Sequence, residues 1–169
     1  MKPRKGADII NLDRLKETVS YCPITGQFTA LMDRTRTRKG DILGSIHHTG
    51  YRIIWIDGKS YTAGRLAWFY MTGKWPEVTI DHKDCVKDNN AFDNLREATD
   101  SQNGANRKWA TKYPKGVQYR DRPPRAPVWV AQINIAGRVT HLGHFKYMEH
   151  AAAAYRIAAS TLHGEFARF

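Results

Sequence analysis

Apolar positions change their spacing several times along the 169 residues. Leu12, Leu15 and Val19 recur at helical intervals, which predicts a helix over 12–20 ahead of a turn at Tyr21-Cys22-Pro23-Ile24-Thr25-Gly26. Phe28 to Leu31 reads as a short strand. Two further β-rich runs, Tyr51 to Ile56 and Ser60 to Thr62, are joined by Asp57-Gly58-Lys59, and an Asp-Gly pair in that setting predicts a hairpin. Ala63 to Met71 returns to helical spacing, with Leu66, Ala67, Phe69 and Tyr70 inward and Gly73 and Pro76 as the stop. Val78 to His82 is short and β-branched. An Asp- and Asn-rich loop follows, then an apolar step at Leu95, then Thr99-Asp100-Ser101 as caps for a helix running through Arg107.

Beyond a stretch rich in Lys, Thr, Pro and Gly (Trp109 to Gly116) the rhythm becomes a two-residue alternation. Residues 116–120, 128–135 and 138–145 predict three strands, with turns at Pro123 to Pro127 and at Ala136-Gly137. From Met148 an Ala-rich helical run extends to Gly164. Its small residues suit close packing on a sheet, and Tyr155, Ile157 and Leu162 read as core. The expected architecture is α+β in two domains: 1–108, a linker at 109–115, and 116–169.

Composition narrows the class. Hydrophobic residues make up 41% and charged residues 25%, as in an ordinary globular protein, and no apolar run is long enough for a membrane-spanning helix. The basic start, Met1 to Asp8, lacks an apolar segment, so no secretory signal is expected. Cys22 and Cys85 stand far apart. They exclude a disulfide framework and a four-thiolate zinc site, and point to a reduced, intracellular setting. The net charge of +11 is uneven: residues 1–106 carry +3 and residues 107–169 carry +8. Within the first part, 75–106 holds seven acids against three bases. Basic flanks attract a polyanion, and an acidic pocket between them would repel it unless a cation sits there; a solvated acidic loop would read the same way.

The chemistry gathers at Ile80-Asp81-His82, Asp93-Asn94-Leu95 and Ser101-Gln102-Asn103. Adjacent strand residues point to opposite faces, so Asp81 can hold a metal while His82 addresses a water. Asp and Asn oxygens suit Mg²⁺ or Mn²⁺. The wider pattern, Arg65-Leu66-Ala67-Trp68, Gly73-Lys74-Trp75-Pro76, Ile80-Asp81-His82, Asn89-Asn90, Asn94-Leu95-Arg96-Glu97-Ala98-Thr99 and Gln102-Asn103, resembles the phage-type HNH homing endonucleases. Tyr21, Thr25-Gly26, Phe28 and Gly50-Tyr51-Arg52 resemble the amino-terminal half of that family.

That resemblance implies a ββα-metal core over about 76–108, with one divalent ion, Mg²⁺ or Mn²⁺, per site. It implies His82 as general base, Asn94 as the residue orienting it, and Asp81 and Asn103 as metal ligands. Asn94 reads equally as a residue pinning its loop, and Asn89 and Asn90 read as turn residues. One departure stands out: Gly64 occupies the place where many family members carry His. The implied reaction is hydrolysis of double-stranded DNA to a 5′-phosphate and a 3′-hydroxyl, by nicking or double-strand cleavage. The implied setting is the cytoplasm of a phage-infected cell, with a monomer expected and a dimer as the alternative.

Lys115 to Arg120, Trp129 to Asn134, His141 to Phe145, Ala151 to Tyr155 and Leu162 to Ala167 resemble the Apetala, or ethylene-response-factor, DNA-binding domain. The resemblance implies Lys115, Gln118, Arg120, Gln132, Asn134 and His141 at DNA-facing positions, where Arg reads guanine and Asn or Gln read adenine. Arg34, Arg36, Arg38 and Lys39 suit phosphate contacts, or simply a solvated basic loop. Two other classes fit the same residues. One is a sequence-specific DNA-binding regulator with an inactive nuclease half, and the other is a structural zinc module, which the Cys and His spacing opposes.

Overall fold

The computed structural model describes residues 10–107 and 112–169. The chain divides into two compact units, Met1–Glu97 and Ala98–Phe169.

In the first unit Asn11 caps α1 (Leu12–Thr18), its side chain accepting the Arg14 N–H at 2.8 Å. The helix is shorter than its spacing predicts. Val19 turns to extended backbone and opens β1 (Val19–Tyr21), paired antiparallel with β2 (Phe28–Ala30). A β-branched Val19 and an aromatic Tyr21, with a partner strand beside them, override the helical period. A second antiparallel sheet follows: β3 (Ser45–Ile46), β4 (Arg52–Ile56) and β5 (Lys59–Thr62). Asp57 and Gly58 both adopt positive φ (48° and 76°), the left-handed pair that an Asp-Gly hairpin demands. α2 (Ala63–Thr72) packs on this sheet and ends at left-handed Gly73, whose N–H donates to the Phe69 carbonyl. Leu15, Val19, Phe28, Ile54, Ile56 and Leu66 form the centre of the core.

β6 (Thr79–His82) then pairs with β7 (Leu95–Ala98), a strand that the sequence suggests only as an apolar step. A short 3₁₀ turn at Phe92–Asn94 leads into β7.

The second unit begins with α3 (Asp100–Asn106), started by a capping box: Thr99 Oγ1 accepts the Gln102 N–H while Gln102 Oε1 accepts the Thr99 N–H. The sequence reading assigns this helix to the domain before it. It lies in the second unit because Ala98 and Ala105 pack with Phe166 and because Lys115 caps its end. β8 (Val117–Arg120), β9 (Val128–Ile135) and β10 (Arg138–Phe145) form an antiparallel sheet in the order β10-β9-β8. α4 (Met148–His163) covers one face, with Ala151, Ala152, Tyr155 and Ala159 buried. Ile157 and Leu162, expected in the core, are exposed instead. Ile157 lies off the stripe that 151, 155 and 159 define at helical spacing, whereas Leu162 falls on that stripe but in the last turn of the helix. Of the expected linker, residues 108–111 lie outside the described residues, and Tyr113 packs edge-on against Trp129. No described helix is long and apolar enough to cross a membrane.

Candidate active site

β6 ends in Asp81 and His82, both buried, and the loop over 83–94 carries the chain to β7. That loop is held at many points. Lys83 N–H donates to the Asn94 carbonyl at 2.9 Å, closing its base. The Tyr21 hydroxyl donates to the Asn90 carbonyl, and the Phe92 N–H to the Pro23 carbonyl, both at 2.8 Å. Arg52 forks onto both Asp88 oxygens at 2.8 Å, and Lys87 Nζ reaches the Thr49 carbonyl at 2.8 Å. Gly26 permits the closest approach: a Cβ there would stand 2.3 Å from the Asn90 carbonyl carbon, and its φ of 73° already requires glycine.

Asn94 works inside this loop. Its amide donates to Asp84 Oδ1 (3.0 Å) and the Asn89 carbonyl (2.8 Å), while its Oδ1 accepts the Asp84 N–H (3.1 Å). Burial alone would raise the Asp84 carboxyl. Hydrogen bonds from the Asn89 side chain, the Val86 backbone and the Asn94 side chain outweigh it, and with His82 nearby they hold Asp84 below the usual carboxylate range. The side chain bonded to His82 is Asn90, at 3.2 Å from Nε2, although its place in a loop of Asp and Asn reads as a turn residue. Asn90 is 2% exposed.

Asp81 is paired with Arg96, whose Nε and Nη2 each lie 3.0 Å from Oδ2. The sequence offers no sign of that pair beyond β-strand alternation on two strands not known to be partners. Among the described residues no group of three or more His, Cys, Asp or Glu side chains gathers to hold a metal ion. The donors that are present, a carboxylate with side-chain amides, are hard oxygens of the kind Mg²⁺ and Mn²⁺ take. Asp81 thus fits a divalent ion by type, in competition with the Arg96 guanidinium. Asn103 is half-buried on α3 of the second unit.

His82 lines one end of an open cleft of about 760 Å³ on the first unit. Its walls include His47, His48, Trp55, Thr62 and Arg65, and no Asp or Glu lines it among the described residues. Trp55 is 65% exposed on the outer side of β4. Of the basic loop, Arg36, Arg38 and Lys39 are exposed, whereas Arg34 is half-buried and donates to the Thr18 carbonyl at 3.4 Å. Arg38 and Lys39 also bind locally: their backbone N–H groups donate to Asp41 and Asp33.

On the second unit the strand register brings Gln118, Arg120, Gln132, Asn134 and His141 to one sheet face. Gln118 pairs with Val130, Arg120 with Val128, Gln132 with His141 and Asn134 with Val139. The other face, with Val117 and Ala131, packs with Ala151 and Ala152 of α4. Asn134 Oδ1 also accepts the Gly137 N–H at 3.0 Å, which closes the β9–β10 turn. Lys115 does not join this face. It is buried, and its ammonium donates to the Ala105 and Arg107 carbonyls, satisfying groups that the end of α3 leaves unpaired. Gly116 behind it, at φ 73°, leaves no room for a side chain: a Cβ would fall 2.1 Å from the Tyr155 ring.

β6 thus ends in a buried Asp-His pair, and a hydrogen-bonded, Asn-rich loop joins it to its partner strand β7. Residues 61–105 match the family model described as HNH endonuclease, which supports a nuclease acting on DNA. No curated protein and no solved structure matches the chain.

Proposed function

We propose that the protein is a divalent-metal-dependent, site-specific DNA endonuclease of the homing type, hydrolysing a phosphodiester to a 5′-phosphate and a 3′-hydroxyl by nicking or double-strand cleavage. The observation that carries this reading is the position of His82: inside the family match, beside Asp81, at the end of a cleft lined by no acid among the described residues. His82 takes the proton of the attacking water as general base, a role open to an imidazole within reach of that water. Asn94 keeps the loop around His82 in shape through Asp84 and Asn89. Asp81 would hold the divalent ion, which would supply Lewis-acid stabilisation of the leaving oxygen. The resemblance adds Asn103 as the second metal residue. Arg36, Arg38 and Lys39 supply phosphate contacts, with a lesser share from half-buried Arg34. Gln118, Arg120, Gln132, Asn134 and His141 read bases in the major groove, in the manner of an Apetala-type sheet.

The Arg96–Asp81 ion pair favours a second reading, a DNA-binding regulator that does not cut, since the carboxylate is already neutralised. One experiment separates the two. Supercoiled plasmid carrying candidate target DNA is incubated with Mg²⁺, Mn²⁺ or EDTA, using wild type and His82→Ala. Metal-dependent conversion to open circle or linear DNA, lost in the variant, supports the nuclease. Tight binding with DNA left intact in every metal supports the regulator.

A further inference from the structure

His82 rests in a seat built from two residues outside the set that the resemblance assigns. Asn90 is fixed from several directions. Its Nδ2 donates to the Asp88 carbonyl at 3.0 Å, its N–H donates to the same oxygen at 3.1 Å, and its carbonyl receives the Tyr21 hydroxyl. With the amide nitrogen committed to a carbonyl, Oδ1 is the atom that faces the imidazole, 3.2 Å from Nε2. An amide oxygen only accepts, so the ring nitrogen opposite it must carry the proton.

Beneath the pair lies Gly64, where family members often carry His. A Cβ at this position would stand 3.3 Å from Asn90 Oδ1 and 3.5 Å from both His82 Cε1 and Ile80 Cγ2. A methyl is already tight, and a longer side chain would enter the space that the amide and ring occupy.

We infer that Asn90 is a positioning residue that, in the room left by Gly64, fixes neutral His82 as the Nε2–H tautomer and so assigns the proton-accepting role to Nδ1. The inference rests on the proposed reading of His82 as the base, yet its first readout needs no cleavage. Long-range ¹H–¹⁵N correlation on ¹⁵N-histidine-labelled full-length protein at pH 8 reports which ring nitrogen of His82 is protonated, with the signal assigned by its loss in His82→Ala. Wild type shows Nε2–H. Asn90→Asp, which keeps an acceptor oxygen, retains that tautomer, and folded Asn90→Leu, which has none, gives a mixture. Nicking falls at least tenfold in Asn90→Leu and stays within about threefold of wild type in Asn90→Asp. Nδ1–H in wild type overturns the inference without recourse to any variant, as does an unchanged Nε2–H in folded Asn90→Leu. A tautomer that responds as described in a protein that never nicks DNA upholds the seat and sinks the nuclease reading instead.

Discussion

Arg96→Met tests the buried ion pair most directly. The Asp81 side chain is 6% exposed and the Arg96 side chain 11%, and both guanidinium contacts converge on one carboxylate oxygen. Methionine keeps the length and apolar stem of the side chain and removes the charge, leaving a carboxylate inside the protein. Breaking a buried pair from one side costs about 3–5 kcal/mol. For a unit of this size that is a fall in Tm of at least about 12 °C, at roughly 4 °C per kcal/mol. Differential scanning calorimetry at pH 7 measures it. Asp81→Asn/Arg96→Met, which neutralises both partners, recovers most of the loss, because the penalty belongs to the buried charge deprived of its guanidinium and not to the missing contact. Added Mg²⁺ stabilises the Arg96→Met single variant more than wild type, since the carboxylate then lacks its competitor. A Tm within about 3 °C of wild type for Arg96→Met would refute the argument, by showing that water or a rearranged side chain already solvates Asp81.

Other perturbations follow from the same geometry. Asn94→Ala removes three hydrogen bonds from the loop and leaves Asp84 short of donors. The expected loss is about 1–3 kcal/mol, with faster amide exchange at Asp84 and Val86 by hydrogen–deuterium exchange. Because the folded Asp84 carboxyl sits below its unfolded value, its contribution is present at neutral pH and disappears as acid protonates it. Exchange protection in this loop should therefore fall on acidification and fall less in Asp84→Asn. In the second unit, burial first and the charge of Lys115 second hold the His163 imidazole below its ordinary value, against a backbone contact at Asn134. The unfolded chain then takes up the proton first, so stability drops as pH falls below about 6.5; thermal melts of His163→Gln should show a flatter acid limb. Lys115→Met should lower Tm and leave the salt dependence of DNA binding unchanged, whereas Arg120→Ala should weaken binding in a gel-shift titration without moving Tm.

Much of the fold is written in local pattern. The Asp57-Gly58 hairpin, α2 with its Gly73 stop, the three strands from Val117 to Phe145 and the Ala-rich α4 each rest on spacing and turn chemistry within a few residues. What escapes depends on partners distant in sequence. Val19 leaves a helical period for a strand because Ala30 lies opposite, 11 residues on. Lys115 resembles a DNA contact in its motif, but the end of α3 claims it. The site divides in the same way. Asp81 and His82 are visible as an adjacent pair at family spacing, while the roles of Asn90 and Arg96 arise only once β6, its loop and β7 are folded together. Gly64 reads in the sequence only as a departure from the resemblance, and its closeness to Asn90 and His82 becomes visible only in the fold.

The loop behind His82 is fastened to its scaffold by Tyr21, Arg52, Lys87 and the bare backbone of Gly26. On the proposed reading these contacts hold the base in place before any substrate arrives. Discrimination then becomes a matter of dwell time. A phosphate is cut when it lingers, and how long it lingers is decided by a polar sheet face that takes no part in the chemistry. Exchanging residues on that face should redirect cutting without slowing it.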